Sequence, residues 1–462
     1  MEQETLFKEF STEKRRTIVK PAGQNNVSVL KENQPFSIQD FITKIFLPRG
    51  YPDSVSKDYI EYQIYDCLQA ACSTIIGIIA AQAVLKGVGV GNVQATALAA
   101  TITWITKDLC GHLGQIMFAF FYGGVLDAYC KTWRLYADAL NDLAMLSELA
   151  LPLFPESFTI LILCFSTLVY NIVGVAGSAT RMAMTQHHAI EGNFADVSAK
   201  DAAQETAVNF VASIVALAFI SIITNNIILI FILVLLHLYF NYRAVKSVIL
   251  NKFNEPRYLH FLDSYFKSKT LCPIEVNLSE SVFFRKQDDI LMGYKIMIGQ
   301  SLKQLTNYSA DATYVNKIKN IYAMANYILI VNARDKIINV FLHENSTTDG
   351  ILLAYFHAVV AAKVMHSIQN SSGSVLRLSK TKSFNRILLA IKKGELTRRN
   401  PTHSYEVQLE PSLILIKYLH EMVKLEWPSL RNTLRLAGWN VTNHSLIVGK
   451  WRVCQDGPKL NP

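Results

Sequence analysis

Between Cys67 and Tyr242 the chain carries 16 charged residues in 176 positions, against 65 in the other 286. Those few charges stand in tight clusters between apolar runs. Runs free of Asp, Glu, Lys and Arg cover Cys67 to Leu85, Gly87 to Thr106, Leu109 to Leu126, Ser157 to Thr180 and Thr206 to Tyr242. Each is near or above the roughly 20 residues a helix needs to cross a bilayer. Ile227 to Leu238, IILIFILVLLHL, is the hardest stretch to keep in water. Because several runs are rich in Ala, Gly, Ser and Thr, a large soluble helical core is the competing reading. A mean hydropathy of +0.21 with 51% hydrophobic residues lies above the usual soluble enzyme.

The total charge of +9 hides a division. From Arg243 onward there are 30 Lys plus Arg and 16 Asp plus Glu, a net +14, whereas the first 242 residues hold 15 bases and 20 acids, a net −5. The positive-inside tendency places Arg243, Lys246, Lys252 and the tail after them on the cytoplasmic side, and Lys14, Arg15, Arg16 and Lys20 favour the same side. Both ends inside require an even number of crossings. Either the last run is a helical hairpin turning at Thr224, Asn225 and Asn226, or one run does not cross. No zinc spacing, aromatic-rich RNA motif or recognition helix accompanies the basic tail, so anionic lipid headgroups are a simpler partner than nucleic acid. The start, MEQETLFKEF, lacks an apolar signal region and an Arg-rich presequence, which points to an intracellular membrane. Five of seven cysteines lie in the apolar block without a CxxC pair, as expected of buried reduced thiols.

This divides the chain into a flexible leader over 1–40, a helical membrane domain over 41–250 with about five or six hydrophobic helices, and a basic α+β domain over 251–462. In the second, Tyr59, Tyr62 and Tyr65 form a stripe suited either to a headgroup interface or to packing on a protein core. In the third, Tyr327 to Val331 and Lys336 to Leu342 predict a hairpin, and Thr348 to Met365 an amphipathic helix capped by Thr347 or Thr348. A basic stretch follows with Lys380, Lys382, Arg386, Lys392, Lys393, Arg398 and Arg399. It is a solvated face or a patch for an anionic partner.

The glycines Gly87, Gly89 and Gly91 lack the third spacing, preceding strand and ribose-binding acid of a nucleotide loop. With Gly111, Gly114, Gly123, Gly124, Gly174 and Gly177 they suit close helix contacts or bends. Ionised side chains within a bilayer are costly unless paired or wetted, so the charged clusters are the candidates for function. These are Lys107 with Asp108; Asp127, Lys131, Arg134, Asp138 and Asp142; Arg181 with His187 and His188; and Asp196, Lys200, Asp201 and Glu205. Asp127 to Lys131 and Arg134 to Asp138 are four apart and on one helix form a self-neutralising stripe. That stripe lies on a membrane surface or lines a polar cavity. Adjacent His187 and His188 point to different helix faces and make poor joint metal ligands, so no metal site is expected. HExxH, GxSxG and Walker patterns do not occur. Lys200 as an amine nucleophile is disfavoured by Asp196 and Asp201, which stabilise its ammonium form. No catalytic residue is assigned, and the chain is not expected to be an enzyme.

The strings FLPRGYPDSVSKDYIEYQIYDCLQA from Phe46, GVGVGNVQATALAATITWITKDLCGHLGQIMFA from Gly87, LDAYCKTWRLYADALNDLAM from Leu126, GSATRMAMTQHHAIEGNFADVSAKDAAQETAVN from Gly177 and LYFNYRAVKSV from Leu238 closely resemble the root UVB sensitive family, its animal members in particular. The likeness covers Phe46 to about Val248 and continues more weakly through LAGWNVTNHSLIVGKWRV. It implies membrane association and, from plant members, a link to vitamin B6 homeostasis, ultraviolet-B responses and auxin transport. It supplies no agreed catalytic residues. The resembling strings include Lys107, Asp108, Trp133, Arg134, Asp138, Arg181, Asp196, Lys200, Asp201 and Glu205. Of these the nine charged residues form the candidate ligand set, and a B6 vitamer such as pyridoxal phosphate is a possible ligand through the resemblance alone. The leading expectation is a multi-pass membrane protein that handles or transports a small charged metabolite. The alternative is a non-catalytic membrane scaffold whose basic C-terminal domain recruits a protein partner, within or outside the family.

Overall fold

A segment kept from water must satisfy its own backbone N–H and C=O groups, and long apolar runs do so as helices. A computed structural model describes residues 3–10, 15–21, 26–31, 38–87, 97–224, 226–283, 291–304, 312–369 and 413–454. The chain divides into two compact units, one of residues 1–123 with 133–248, the other of 124–132 with 249–462.

The first unit opens on an antiparallel sheet of β1 (Gln3–Phe10), β2 (Arg15–Pro21) and β3 (Ser28–Lys31), with β2 in the middle. The sequence reading takes this stretch as a flexible leader. The strands rest on short β-branched alternations: Thr17, Ile18 and Val19 face Leu30, Val29 and Ser28. Helices follow: α1 (Ile38–Phe46), α2 (Tyr59–Gly87), α3 (Ala97–Tyr122), α4 (Cys130–Leu149), α5 (Thr159–His188), α6 (Phe194–Thr224) and α7 (Ile227–Ser247). The last apolar run is indeed a hairpin. Helix α6 ends at Thr224, and the Asn226 side chain caps α7 by accepting from the Leu229 N–H at 3.2 Å. The described parts of the runs 87–106 and 109–126, by contrast, share α3 over 97–122, where Lys107 pairs with Asp108 at 3.0 Å without ending the helix. Gly111 lets α3 close on α5, since a Cβ there would lie 2.3 Å from the Asn171 amide nitrogen.

Among the described residues, five helices are long and apolar enough to cross a membrane. Four of them, Tyr59–Gly87, Thr159–His188, Phe194–Ile220 and Ile227–Ser247, belong to the first unit and have only 11% to 33% of their most apolar stretch buried inside the protein. Their outward faces, with that of α3, carry exposed Leu113, Phe120, Phe210, Leu217 and Leu235. An apolar surface so continuous suits lipid, not water. The fifth, Thr348–Ser367, is 72% buried and is a core helix of the second unit.

That second unit holds α8 (Glu255–Phe266), α9 (Pro273–Ser279), β4 (Lys295–Ile298), α10 (Ala312–Ile321), β5 (Tyr327–Asn332), β6 (Ile337–Leu342), α11 (Thr348–Gln369) and α12 (Leu413–Leu436). The expected hairpin forms: β5 pairs antiparallel with β6, and the Asp335 N–H donates to Asn332 Oδ1 at 3.0 Å in the turn. Strand β4 joins the other edge of β6 in parallel, giving the order β4-β6-β5. Helix α11 departs from the amphipathic expectation and is apolar almost all round, because the sheet covers one side of it and α12 another. Thr347 caps it, accepting from the Gly350 N–H at 3.3 Å. The basic stretch from Lys380 to Arg399 lies outside the described residues, as do Gly89 and Gly91.

Candidate functional site

Helix α2 changes character along its buried face. Its second half buries Ile76, Ile79, Ala80 and Ala83, while its first half buries Tyr59, Tyr62, Gln63, Asp66 and Gln69 at spacings of three and four. The two stripe tyrosines Tyr59 and Tyr62 are thus packed in protein, and only Tyr65 remains half-exposed, its ring stacked on Phe240 and under the Arg243 guanidinium. A buried polar face needs partners from other helices, and all of these side chains but Tyr62 find one.

Asp66 accepts from Arg134 of α4 at 2.9 Å and from Gln69 Nε2 at 3.3 Å. The Gln69 carbonyl oxygen meets His237 Nε2 of α7 at 2.9 Å, and His237 Nδ1 meets Asp142 at 2.8 Å. Asn241, one turn from His237, donates to Asp138 and to the Arg134 carbonyl. A second group lies beside this one. Gln63 donates to Asp201 of α6 at 3.0 Å, Arg181 of α5 binds the other Asp201 oxygen at 2.6 Å, and Arg181 also binds Glu205. The Tyr62 hydroxyl is buried with no hydrogen-bond partner, and Asp66, Arg134, Asp201 and Arg181 are the charged groups acting on it. A hydroxyl left so between two ion pairs is costly, and its position is a candidate point of contact for a ligand.

Beyond Tyr62 the polar seam reaches the loop before α2. His187 Nε2 lies 2.9 Å from Asp58 Oδ2, and His188 Nδ1 lies 2.7 Å from Ser56 Oγ and 3.8 Å from Asp58 Oδ1. Burial works to raise the Asp58 carboxyl, but the hydrogen bond and charge of His187 outweigh it and hold the group well below the usual carboxylate range. The two adjacent histidines therefore do not look away from each other. They end α5, where the helix stops, and the incoming loop crosses both, tied by the Ser56 N–H to the His188 carbonyl at 3.1 Å.

Of the sequence candidates, Arg134 and Asp138 fall in the first group and Arg181, Asp201 and Glu205 in the second. Asp196 and Lys200 instead hold the end of α1 and the loop after it: Asp196 accepts from the Arg49 N–H at 2.7 Å, and Lys200 donates to the Lys44 carbonyl in the last turn of α1 at 2.5 Å. Lys107 and Asp108 pair with each other on α3, with Lys107 over the Trp104 ring. The self-neutralising stripe gives way to pairs that run across the fold. Arg134 binds Asp66, whereas Lys131, in the second unit, donates to Asn277 at 2.7 Å and pairs with Glu280 at 3.4 Å. There burial pulls the Lys131 ammonium down to about 8 although Glu280 partly opposes this. Sequence reading did not count Asp58, Tyr62, Gln63, Asp66, Gln69, His237 and Asn241 among the site residues. The available signal was the recurrence of polar residues at helical spacing: 62, 66 and 69 on α2, 134, 138 and 142 on α4, 237 and 241 on α7.

Comparison with known proteins gives a consistent family. Residues 32–269 match the family model described as "Vitamin B6 photo-protection and homoeostasis domain", and residues 269–455 match "Root UVB sensitive protein, C-terminal". RUS family member 1 of Dictyostelium discoideum is 37% identical over 313 residues, 64% of this chain and 59% of that protein. Protein root UVB sensitive 3 of Arabidopsis thaliana is 33% identical over 335 residues, 70% of this chain and 76% of the relative. Protein root UVB sensitive 6 of the same plant is 26% identical over 435 residues, 93% of this chain and 80% of its own. No solved structure matches.

Proposed function

The chain belongs to the root UVB sensitive family, and on that premise we propose that its helical unit binds and carries a small charged metabolite of the vitamin B6 class through a membrane. The observation that supports this reading is the partnerless Tyr62 hydroxyl between the Arg134–Asp66 and Arg181–Asp201 ion pairs. A phosphorylated pyridine suits such a place chemically. Its phosphate competes for a guanidinium, its ring nitrogen for a carboxylate, and its phenolic oxygen for a hydroxyl. Exchanging internal ion pairs for ligand contacts leaves no charge unpaired before or after binding, which a carrier within an apolar unit requires. The role assigned is binding and movement, with no bond broken by the protein.

The test uses the full chain in proteoliposomes, measuring uptake of pyridoxal and pyridoxal phosphate. Saturable uptake is expected in the wild type. Tyr62→Phe removes the hydroxyl without changing packing and is expected to weaken the ligand by roughly tenfold, one hydrogen bond's worth, with the fold intact. Uptake at background in folded wild-type protein would end the carrier reading and favour a scaffold that recruits partners through the C-terminal unit. Equal uptake by wild type and Tyr62→Phe would move the site elsewhere.

A further inference from the structure

We propose that Asp58, His187 and His188 form a binding site for one divalent transition-metal ion of the zinc class, a feature that goes beyond the metabolite site and does not depend on it. One donor atom from each of the three lies within 4.8 Å of the others. Tetrahedral zinc with bonds of about 2.0–2.1 Å sets its donors roughly 3.3 Å apart. The nearest carboxylate-to-imidazole separations, 2.9 Å from Asp58 Oδ2 to His187 Nε2 and 3.8 Å from Asp58 Oδ1 to His188 Nδ1, straddle that value, so the ion needs side-chain shifts on the order of an ångström. Asp58 Oδ2 and His187 Nε2 lie within hydrogen-bond distance, and Ser56, 2.7 Å from His188 Nδ1, hydrogen-bonds Asp58 as well, so the three donors are already gathered around one point.

The chemistry of the donors fits as well. Two imidazoles and one carboxylate are a common set for zinc and its neighbours, and they leave a position for water or for the Ser56 hydroxyl, 2.7 Å from His188 Nδ1. His188 is almost wholly buried, and its Nε2 has no polar partner among the rings of Tyr59 and Tyr62, whose centroids lie 5.6 and 5.1 Å away. His188 Nδ1 faces Ser56 Oγ at 2.7 Å and Asp58 Oδ1 at 3.8 Å, and a metal ion would take the tautomer in which Nδ1 carries the lone pair. The scaffold is held on both sides. Val55 bridges to Ala189 in antiparallel fashion, the Ser56 N–H donates to the His188 carbonyl, and Asn193 Nδ2 donates to the Ser54 carbonyl at 3.1 Å. His187, whose side chain is 14% exposed, gives the ion its way in.

The experiment takes the full chain, without a polyhistidine tag, in detergent, strips it with a chelator, dialyses it against micromolar zinc and measures bound metal by atomic emission. About one equivalent is expected, with a cobalt-substituted sample showing the visible absorption of a tetrahedral site. Asp58→Asn and His187→Gln are expected to weaken zinc by at least the roughly 10–100-fold that loss of a mere supporting group costs. His112→Gln, an exposed histidine on α3, is expected to leave binding unchanged. Monodisperse wild-type protein that binds no zinc overturns the proposal. So does binding that survives both ligand substitutions. If those variants fail to fold, the wild-type cobalt spectrum decides alone, and its absence overturns the site. Metabolite uptake is not read, so the outcome is separate from that of the carrier.

Discussion

Asp66 on α2 and Arg134 on α4, 68 residues apart in sequence, meet at 2.9 Å with both side chains less than one tenth exposed. A buried pair of this kind is weak evidence of net stabilisation, because desolvation of two charges offsets much of their attraction. Breaking it from one side is different, since the remaining charge is then buried alone. Arg134→Met or Asp66→Leu is each expected to destabilise the helical unit by about 3–5 kcal/mol, and the double variant by much less than the sum. Unfolding in detergent, followed as a double-mutant cycle, reads the coupling. Additive losses would mean that the two residues do not act as a pair.

Lys131 links the second unit to pH. Its ammonium is disfavoured in the folded chain by burial, with a folded value of about 8 against 10.5 for a free lysine. Between those values the unfolded chain holds a proton that the folded chain does not, so stability rises as pH is raised through the window. It is flat below about 8 as far as this group is concerned. The rise is at most about 3 kcal/mol. On the acid side Glu280 acts oppositely. Burial would raise it, but Arg257 and Lys131 hold it below 4.5, so its contribution is present above that pH and is lost as pH falls through the folded value. Unfolding of the wild type and of Lys131→Met from pH 7 to 10.5 should show the alkaline rise only in the wild type. The same slope in both would refute the assignment.

The apolar runs made the helical core legible, because scarcity of charge over 20 residues has few other uses. The hairpin of β5 and β6 was legible for a similar reason, a short β-rich run on either side of Asn332 to Asp335. Pairing was not. Arg134 and Asp138 sit four apart, the spacing of a helix-surface pair, yet Arg134 turns to Asp66 and Lys131 to Glu280. Local spacing says which side chains share a face. Which face meets which is decided by tertiary packing, and a single sequence does not carry it. His237 and Asn241 escaped notice because neither is charged in the apolar run that contains them. His187 and His188 stand at the last turn of α5, where the loop before α2 brings Asp58 to both rings, a juxtaposition that helix spacing does not carry.

Gly299 and Gly449 approach each other too closely for a side chain. A Cβ on Gly299 would lie 2.5 Å from the Gly449 carbonyl oxygen, and its φ of +69° is one that L residues rarely adopt. The neighbouring backbone bonds, Gly449 N–H to the Ile298 carbonyl at 2.8 Å and Trp451 N–H to the Gly299 carbonyl at 3.2 Å, hold the C-terminal segment on β4. Gly299→Ala is expected to cost about 2–4 kcal/mol, combining strain with displaced backbone contacts. Thermal unfolding of the second unit measures it. A loss under about 0.5 kcal/mol would show that the segment shifts freely.

Leu217 on α6 and Leu425 on α12 are both about three-quarters exposed, at 74% and 79%. Only the first lies on a helix long and apolar enough to span a membrane. If the surroundings of α6 are lipid, Leu217→Arg places a charge in hydrocarbon and costs about 2.5–3.5 kcal/mol of insertion. Leu425→Arg, on the amphipathic α12, should stay within about ±0.5 kcal/mol. Fractionation of cells expressing each variant, with carbonate extraction of the membranes, compares them directly. Wild type and Leu425→Arg are expected in the carbonate-resistant pellet, and Leu217→Arg is expected to be depleted from it. Release of the wild type by carbonate would overturn the bilayer-spanning reading of the four helices. Retention of all three would mean that α6 turns Leu217 toward protein or water, leaving α2, α5 and α7 to carry the anchoring.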